Sequence, residues 1–415
     1  MTEGGVVIVG AGQAGLQTAA SLRELAYPGS ITLINEEYSL PYQRPPLSKT
    51  YMLGKATEDA LRLRNRSYFE ENNIRLVGPV RAMAIDRSAR KLKLASGADL
   101  PYDHLVLATG AKNRSLPIKG SDLHGVYSLR TIADAASLRN QLQETRNAVV
   151  LGGGFIGMEF AAVAAKLGAQ THVVEVASRI MARATSPEVS AYLTRRHGER
   201  GTTFSFNESV VRINGEANKV VSVDTASGAT FAADLVLIGV GVVPNQTLAE
   251  NAGLMVMNGV VVDDQLLTED SAISAIGDCA VYPNSFSNSM LRLESVQNAV
   301  DQARFVAARI AGIPARYAGV PWFWSDQGAD KLQIAGIAFA DDTNLVKEDE
   351  DSGGFSVFRF RNDALVCVES VNRVADHMAA RALLKSGKLS SLSSRHVSER
   401  DFKLKSYLSK EAAIA

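Results

Sequence analysis

The sequence predicts an α/β protein made of two doubly wound, parallel-sheet domains and a smaller C-terminal α+β domain. Three observations predict it. A strand, a glycine-rich turn and a helix follow one another twice in the chain; each copy continues into a second apolar strand that ends on an acid; and the pattern changes character after Val320. At 415 residues the chain is also too long for one ordinary core.

The first copy opens with Val6-Val7-Ile8-Val9, which runs at once into Gly10-Ala11-Gly12-Gln13-Ala14-Gly15 and a helical run over 16–25. After a turn at Pro28-Gly29, a second strand Ile31-Thr32-Leu33-Ile34 ends at Asn35-Glu36-Glu37. In a G-x-G-x-x-G turn, Gly10 permits the tight bend, Gly12 lets a pyrophosphate reach the backbone and Gly15 lets the helix pack on the strand. The helix N-terminus then offers unpaired N–H groups to the phosphates. The glycines alone are a weak signal; strand before, helix after and acid beyond make a dinucleotide site. The ribose acid is assigned to Glu36, with Glu37 as the alternative.

The second copy lies 142 residues further on, with residues 148–151 leading into Gly152-Gly153-Gly154-Phe155-Ile156-Gly157. A helical run over 158–167 follows, and Thr171-His172-Val173-Val174 closes on Glu175. Gly152, Gly154 and Gly157 repeat the three glycine roles. Glu175, eighteen residues beyond Gly157, would accept from the 2′-hydroxyl of NAD and repel the 2′-phosphate of NADP, so NADH is expected; Arg179 is the one nearby cation that would soften this. Two such folds in one chain imply a resident cofactor and a visiting one.

Apolar strands Leu105-Val106-Leu107-Ala108-Thr109-Gly110 and Leu235-Val236-Leu237-Ile238-Gly239 mark where the chain passes between the folds. Later, Ala275-Ile276-Gly277-Asp278-Cys279-Ala280 reads as a strand ending in Gly-Asp, where the carboxylate would accept from a ribityl hydroxyl or order water around a pyrophosphate. The expected division is a discontinuous first domain, 1–110 and 241–320, with a second, 111–240, inserted between its halves. Residues 321–415 form the third domain, with strands over 332–339, 355–360 and 364–370 and a helix over 374–384; dimer or partner surfaces are expected there.

Composition removes several function classes. Lys plus Arg and Asp plus Glu both number 44, so no net field argues for nucleic acid or an anionic membrane. No run approaches eighteen uncharged apolar residues, and Met1-Thr2-Glu3-Gly4-Gly5 leaves no room for a leader before the first strand, so a cytoplasmic protein is expected. The two cysteines, Cys279 and Cys367, lie 88 residues apart, which excludes a disulfide framework, a four-cysteine zinc site, a cysteine-ligated cluster within the chain and a C-x-x-C redox pair. His172, His197 and His377 stand alone without ligand spacing, and no metal is expected.

Seven motifs in order along nearly the whole chain carry a resemblance: Gly10 to Gly15; Arg44-Pro45-Pro46-Leu47-Ser48-Lys49; Ala108-Thr109-Gly110; Gly152 to Glu159; Gly277-Asp278-Cys279; Glu294-Ser295-Val296-Gln297-Asn298-Ala299; and Pro321-Trp322-Phe323-Trp324-Ser325-Asp326-Gln327. The chain resembles the NADH-dependent ferredoxin reductases of bacterial cytochrome P450 and aromatic-ring oxygenase systems, the putidaredoxin reductase type within the glutathione reductase-like flavoproteins. The resemblance implies noncovalent FAD, NADH arriving over one flavin face, and a small [2Fe-2S] ferredoxin as acceptor, in a monomer or homodimer. It implies further that Arg44, Pro46 and Lys49 lie along the flavin, that Asp278 meets the ribityl–pyrophosphate portion, and that Trp324 with Glu294 and Gln297 closes the ring environment. Lys49 and Glu159 are the expected catalytic pair: a lysine at a reduced flavin would stabilise developing negative charge, and Glu159 would pair with it beside the nicotinamide. Pro45-Pro46 is expected to hold the preceding chain extended as a stiff platform for Lys49, and Trp322 and Trp324, two apart, to share one strand face.

Rival acceptors are weighed by what the chain lacks. A disulfide reductase, a peroxidase or a water-forming oxidase of this superfamily needs cysteine near the flavin, and none precedes Cys279. The alternative is an NADH diaphorase, or an apoptosis-inducing-factor-like oxidoreductase, that uses quinones or another acceptor. A basic surface would meet an acidic ferredoxin; Arg62, Arg64 and Arg66, or the eight Lys and Arg residues of 381–410, are the candidates.

Overall fold

A computed structural model describes residues 4–314, 316–349 and 353–408. Contacts group the described residues into two compact units, one from Met1–Gln43, Glu58–Lys112 and Val242–Pro321, the other from Arg44–Thr57, Asn113–Gly241 and Trp322–Ala415.

In the first unit a five-stranded parallel sheet runs Ile273–Ala275, His104–Leu107, Val6–Val9, Ile31–Ile34, Ile74–Val77. The central strands are continuous apolar runs because both sheet faces are covered; Ile8, Leu33, Leu105, Val106 and Ile273 are all fully buried. Helices Gln13–Glu24 and Val296–Ile310 pack on each other and share one core with the sheet, the first contributing Ala14, Leu16, Ala19 and Leu22 and the second Ala299, Ala303, Val306 and Ala307. A three-stranded antiparallel sheet, Ala82–Asp86, Lys91–Leu94 and Asp99–Pro101, precedes His104–Leu107.

The second unit repeats the plan. Its parallel sheet runs Val126–Tyr127, Leu235–Ile238, Asn147–Leu151, Gln170–Glu175, Thr202–Phe206. Leu235–Ile238 pairs with Asn147–Leu151 as His104–Leu107 pairs with Val6–Val9. It too follows a three-stranded antiparallel sheet, here Val210–Glu216, Lys219–Thr225 and Thr230–Ala232.

The same unit carries a C-terminal antiparallel sheet in the order Trp322–Gln327, Asp330–Gly336, Ala364–Val371, Gly354–Arg361, Thr343–Asp349, with helix Val374–Lys385 packed against it. This is the α+β part of the predicted fold class. Strand Thr343–Asp349 was not expected: Thr-Asn-Leu-Val-Lys-Glu-Asp has the charge of a loop, and it is an edge strand, where charge discourages further pairing.

The grouping departs from the expected three-part division in two places, each with a bonded cause. Residues 44–57 join the second unit because Lys49 Nζ pairs with Glu159 at 2.8 Å, Arg44 Nη1 donates to the Arg130 carbonyl at 2.7 Å, and Arg139 lies 4.5 Å over the Tyr51 ring. The C-terminal sheet joins residues 113–241 through buried polar contacts. The Glu369 carboxylate, paired with Arg359 at 2.7 Å, accepts from Ser186 N at 2.8 and 3.1 Å. Asp330 accepts from Tyr192 Oη at 3.0 Å and from Arg200 Nη2 at 2.5 Å.

Candidate functional site

At the first glycine turn two of the three glycines are required by the protein itself. Gly10 has φ +105°, and a Cβ there would overlap the Ala108 carbonyl; a Cβ at Gly15 would overlap the Gly10 carbonyl. Gly12 is different. It caps helix Gln13–Glu24 with φ −75° and ψ −163°, open to any residue, and a Cβ there would meet nothing within 4 Å. Neither the backbone conformation nor the packing asks for glycine at 12.

The other first-unit residues gather at the carboxyl ends of the same strands. Thr109 Oγ1 donates to the Asn245 carbonyl at 2.7 Å, Asn245 Nδ2 donates to the Thr109 carbonyl at 2.9 Å, and Asn245 N donates to the Gly110 carbonyl at 2.9 Å, so the Ala108-Thr109-Gly110 turn is clamped. Asp278 lies in a short 3-10 turn, Gly277–Cys279, where a Cβ on Gly277 would come 3.3 Å from Ala14 Cβ and 3.8 Å from Ala299 Cβ. The turn therefore sits where helices Gln13–Glu24 and Val296–Ile310 begin. Gln302 Oε1 accepts from Gly277 N at 2.7 Å, and its Nε2 is buried without a protein partner, an orphan donor in the turn. Arg292 Nη1 joins the Asp278 carbonyl at 3.1 Å and the Glu294 carboxylate at 2.7 Å, while Gln297, in the first turn of its helix, donates to Asp301 at 2.6 Å. Glu36 is exposed and pairs with Arg81 at 2.8 Å; Glu37 accepts from Tyr42 Oη at 2.5 Å.

The second turn repeats the first. Gly152 has φ +104° and a Cβ there would come 2.6 Å from the Gly239 carbonyl oxygen; a Cβ at Gly157 would overlap the Gly152 carbonyl; and at Gly154, φ −75° and ψ 178°, it would meet nothing within 4 Å. Glu175 folds back onto this turn, accepting from Gly153 N at 2.6 Å and from Ala177 N at 2.7 Å. Arg179 donates to the carbonyls of Ala182 at 2.9 Å and Ser186 at 3.4 Å, which commits it to its own loop.

Lys49 and Glu159 meet as expected. Pro45–Ser48 is a 3-10 turn with Pro at its start, where the missing N–H costs nothing. Arg44, directly before it, is not extended: it has φ −78° and ψ −35°, a helical conformation, and its guanidinium donates to the Arg130 carbonyl, which corrects that expectation at this residue. Glu159 is 5% exposed on helix Phe155–Lys166. One carboxylate oxygen takes Lys49 Nζ at 2.8 Å and Ser48 Oγ at 2.5 Å, and the other takes Ser325 Oγ at 2.5 Å. Ser48 and Ser325 were not singled out from sequence.

Trp322 and Trp324 do share a strand face, with ring centroids 5.5 Å apart. Trp322 also lies under Arg381, at 3.9 Å, and against His377, while Trp324 is half-buried. The opposite face sends Phe323 onto Phe155, centroids 4.5 Å apart, and Ser325 onto Glu159. Phe155, at the first helical position after Gly154, was likewise missed.

Burial pushes the thiols of Cys279 and Cys367 up, and the two belong to different units. Among the described residues no group of three or more His, Cys, Asp or Glu could hold a metal ion, and no helix is long and apolar enough to cross a membrane. What the site offers is two open glycine turns at helix N-termini and, in the second unit, a lysine fixed by a buried carboxylate.

A family model described as pyridine nucleotide-disulphide oxidoreductase matches residues 4–303, and one described as reductase C-terminal matches residues 322–408. The chain is 47% identical over 379 residues to a rhodocoxin reductase of Rhodococcus erythropolis, covering 91% of this chain and 89% of the relative. A ferredoxin reductase for a cytochrome P450 system from Rhodopseudomonas palustris superposes with a TM-score of 0.94 at 45% identity, covering 97% of this chain and 99% of that one. The covalent putidaredoxin reductase–putidaredoxin complex gives a TM-score of 0.95 at 35% identity, with 100% of each chain covered. With two repeated glycine cradles, a fold shared over nearly its whole length and a family match over most of its residues, the chain belongs to the pyridine nucleotide-disulphide oxidoreductase family.

Proposed function

We propose that the chain is an FAD-dependent NADH:ferredoxin reductase, passing electrons singly to a small [2Fe-2S] ferredoxin that supplies a cytochrome P450 or ring-hydroxylating oxygenase. The observation that carries it is the pair of glycines, Gly12 and Gly154, that nothing in the protein itself requires. Rhodocoxin reductase, the P450-system ferredoxin reductase and the putidaredoxin complex support the acceptor class by their names. The missing cysteine pair argues against the disulfide chemistry in the family's own description.

Bound FAD supplies two-electron acceptance from NADH and release in single steps. In this reading Gly10, Gly12 and Gly15 seat its pyrophosphate, Glu36 its adenosine ribose, and Ala108, Thr109, Gly110 and Asp278 the ribityl portion. The assignment of Arg44, Pro46, Lys49, Glu294, Gln297 and Trp324 to the flavin ring is supported by the resemblance that their motifs carry. Gly152, Gly154 and Gly157 seat the NADH pyrophosphate, and Glu175, its carboxylate already turned onto Gly153 N, accepts from the 2′-hydroxyl. Lys49, anchored by Glu159, holds a fixed positive charge where negative charge develops. Residues 1–110 and 241–320 then serve FAD, 111–240 serve NADH and 321–415 form the C-terminal α+β domain, in a cytoplasmic monomer or homodimer without nucleic-acid or membrane partners. Steady-state NADH oxidation by the purified yellow protein tests this: it should rise with added oxidised [2Fe-2S] ferredoxin and be slow without it. Equal rates with and without every ferredoxin would contradict the assigned acceptor.

A further inference from the structure

Strand Trp322–Gln327 sorts its side chains by alternation, and the odd positions face helix Phe155–Lys166. Phe323 meets Phe155, and Ser325, two residues on, meets Glu159, one helical turn on. Gln327, next on that face, donates through Nε2 to Ser325 Oγ at 2.8 Å, and its Oε1 lies 3.1 Å from His197 Nε2. Ser325, Gln327 and His197 are fully buried.

The direction of every bond in this chain follows from its end. Glu159 can only accept, so Ser325 donates its single hydroxyl proton to it and must accept from Gln327. Gln327 therefore turns its amide nitrogen to Ser325 and its oxygen to His197, and His197 carries its proton on Nε2. His197 Nδ1 is then an acceptor, and it is buried without a partner. Three donors in series point at one carboxylate, an arrangement in which each bond polarises the next. Burial holds the His197 pKa down to about 4, so the ring stays neutral and the sequence of donors does not change near neutral pH.

We infer that Ser325, backed by Gln327 and His197, is a positioning residue: the C-terminal strand fixes the Glu159 carboxylate and through it the place of Lys49. The third part of the chain thereby tunes the flavin, beyond any role as a partner surface. This rests on the proposed function, since Lys49 matters to the reaction only if a flavin lies against it.

Ser325→Ala removes the last donor and little volume. Expected is retained FAD, NADH affinity within about twofold of native, flavin bleaching by NADH ~10-fold slower, and a less favourable reduction equilibrium by a similar factor, ~30 mV for a two-electron couple. In a Lys49→Ala background the same change should add almost nothing, because both act on one charge. Ser325→Thr keeps the hydroxyl and should recover most of the rate and potential. If Ser325→Ala does not fold, Gln327→Met, which breaks the series one bond earlier, should give the same pattern at smaller size. A native protein bleached by NADH, with a folded Ser325→Ala of native rate and potential, overturns the inference alone. So does full additivity with Lys49→Ala. A native protein that NADH does not bleach overturns the proposed function, and the inference with it.

Discussion

Asn35 stands in the first glycine-turn repeat where Glu175 stands in the second: each directly follows the residue, Ile34 or Val174, that pairs with the last residue of the fingerprint strand. Asn35 spends its amide on the loop, donating to the carbonyls of Glu37 and Ser39 at 2.9 Å each. Glu36, one residue later, is turned to Arg81. At the second turn the residue in that place folds its carboxylate onto the glycines.

That asymmetry predicts a nucleotide preference carried by one residue. Glu175→Ala should weaken NADH binding by ~10-fold or more, the worth of a charge-assisted hydrogen bond, and leave NADPH unchanged or tighter. Equilibrium titration with both nucleotides measures this, and equal losses would remove Glu175 from the ribose.

The two kinds of glycine should separate under mutation. Gly154→Ala meets open space in an ordinary conformation, so stability should hold within ~0.5 kcal/mol while NADH affinity falls. Gly152→Ala, at φ +104° and against the Gly239 carbonyl, should cost ~2 kcal/mol or more. Denaturant unfolding beside NADH titration tells them apart. A Gly154→Ala protein that binds NADH as well as the native one would contradict the cradle.

Both thiols should be silent. Burial raises each, so Cys279 and Cys367 should not react with a thiol reagent in the native protein, and bleaching by NADH should survive the treatment. Rapid labelling of either, with loss of bleaching, would reopen thiol chemistry.

Acid should unfold the protein partly through its histidines. His197 and His377 are fully buried, and burial lowers both to about 4, below the ordinary 6.5; for His377, Arg381 adds to the effect. The folded state thus releases protons that the unfolded chain still binds. This contribution is fully present above pH 6.5 and is lost as pH falls from 6.5 towards 4, at ~1.4 kcal/mol per pH unit for each ring. His377→Leu should flatten the pH dependence of unfolding free energy by one proton in that window. An unchanged slope would mean that His377 does not titrate there.

The fold was legible where the signal is local. The glycine turns write their backbone needs into six consecutive residues, and the apolar strands of a covered parallel sheet cannot be mistaken for a solvated face. Lys49 and Glu159 were legible as a pair through the motifs that carry the resemblance, since among 44 acidic residues charge alone singles out no partner. Ser48 and Ser325 were not: a serine has no distinctive pattern, and its partner lies 111 or 166 residues away. One signal was available, the alternation of Phe323, Ser325 and Gln327 opposite the tryptophans, which marks a second buried face with polar groups that need partners. The placement of residues 44–57 in the second unit could not be read either, because it depends on where Arg130, Arg139 and Glu159 lie in the folded chain.

The central claim is electron transfer from NADH through bound FAD to a ferredoxin, and anaerobic stopped-flow absorbance tests it most directly. Mixing with NADH should bleach the flavin within the mixing and turnover times of an efficient reductase. Addition of an oxidised [2Fe-2S] ferredoxin should then restore the flavin's colour in step with loss of the ferredoxin's own absorbance. A flavin that NADH leaves yellow, or a bleached flavin that no ferredoxin reoxidises, would contradict it.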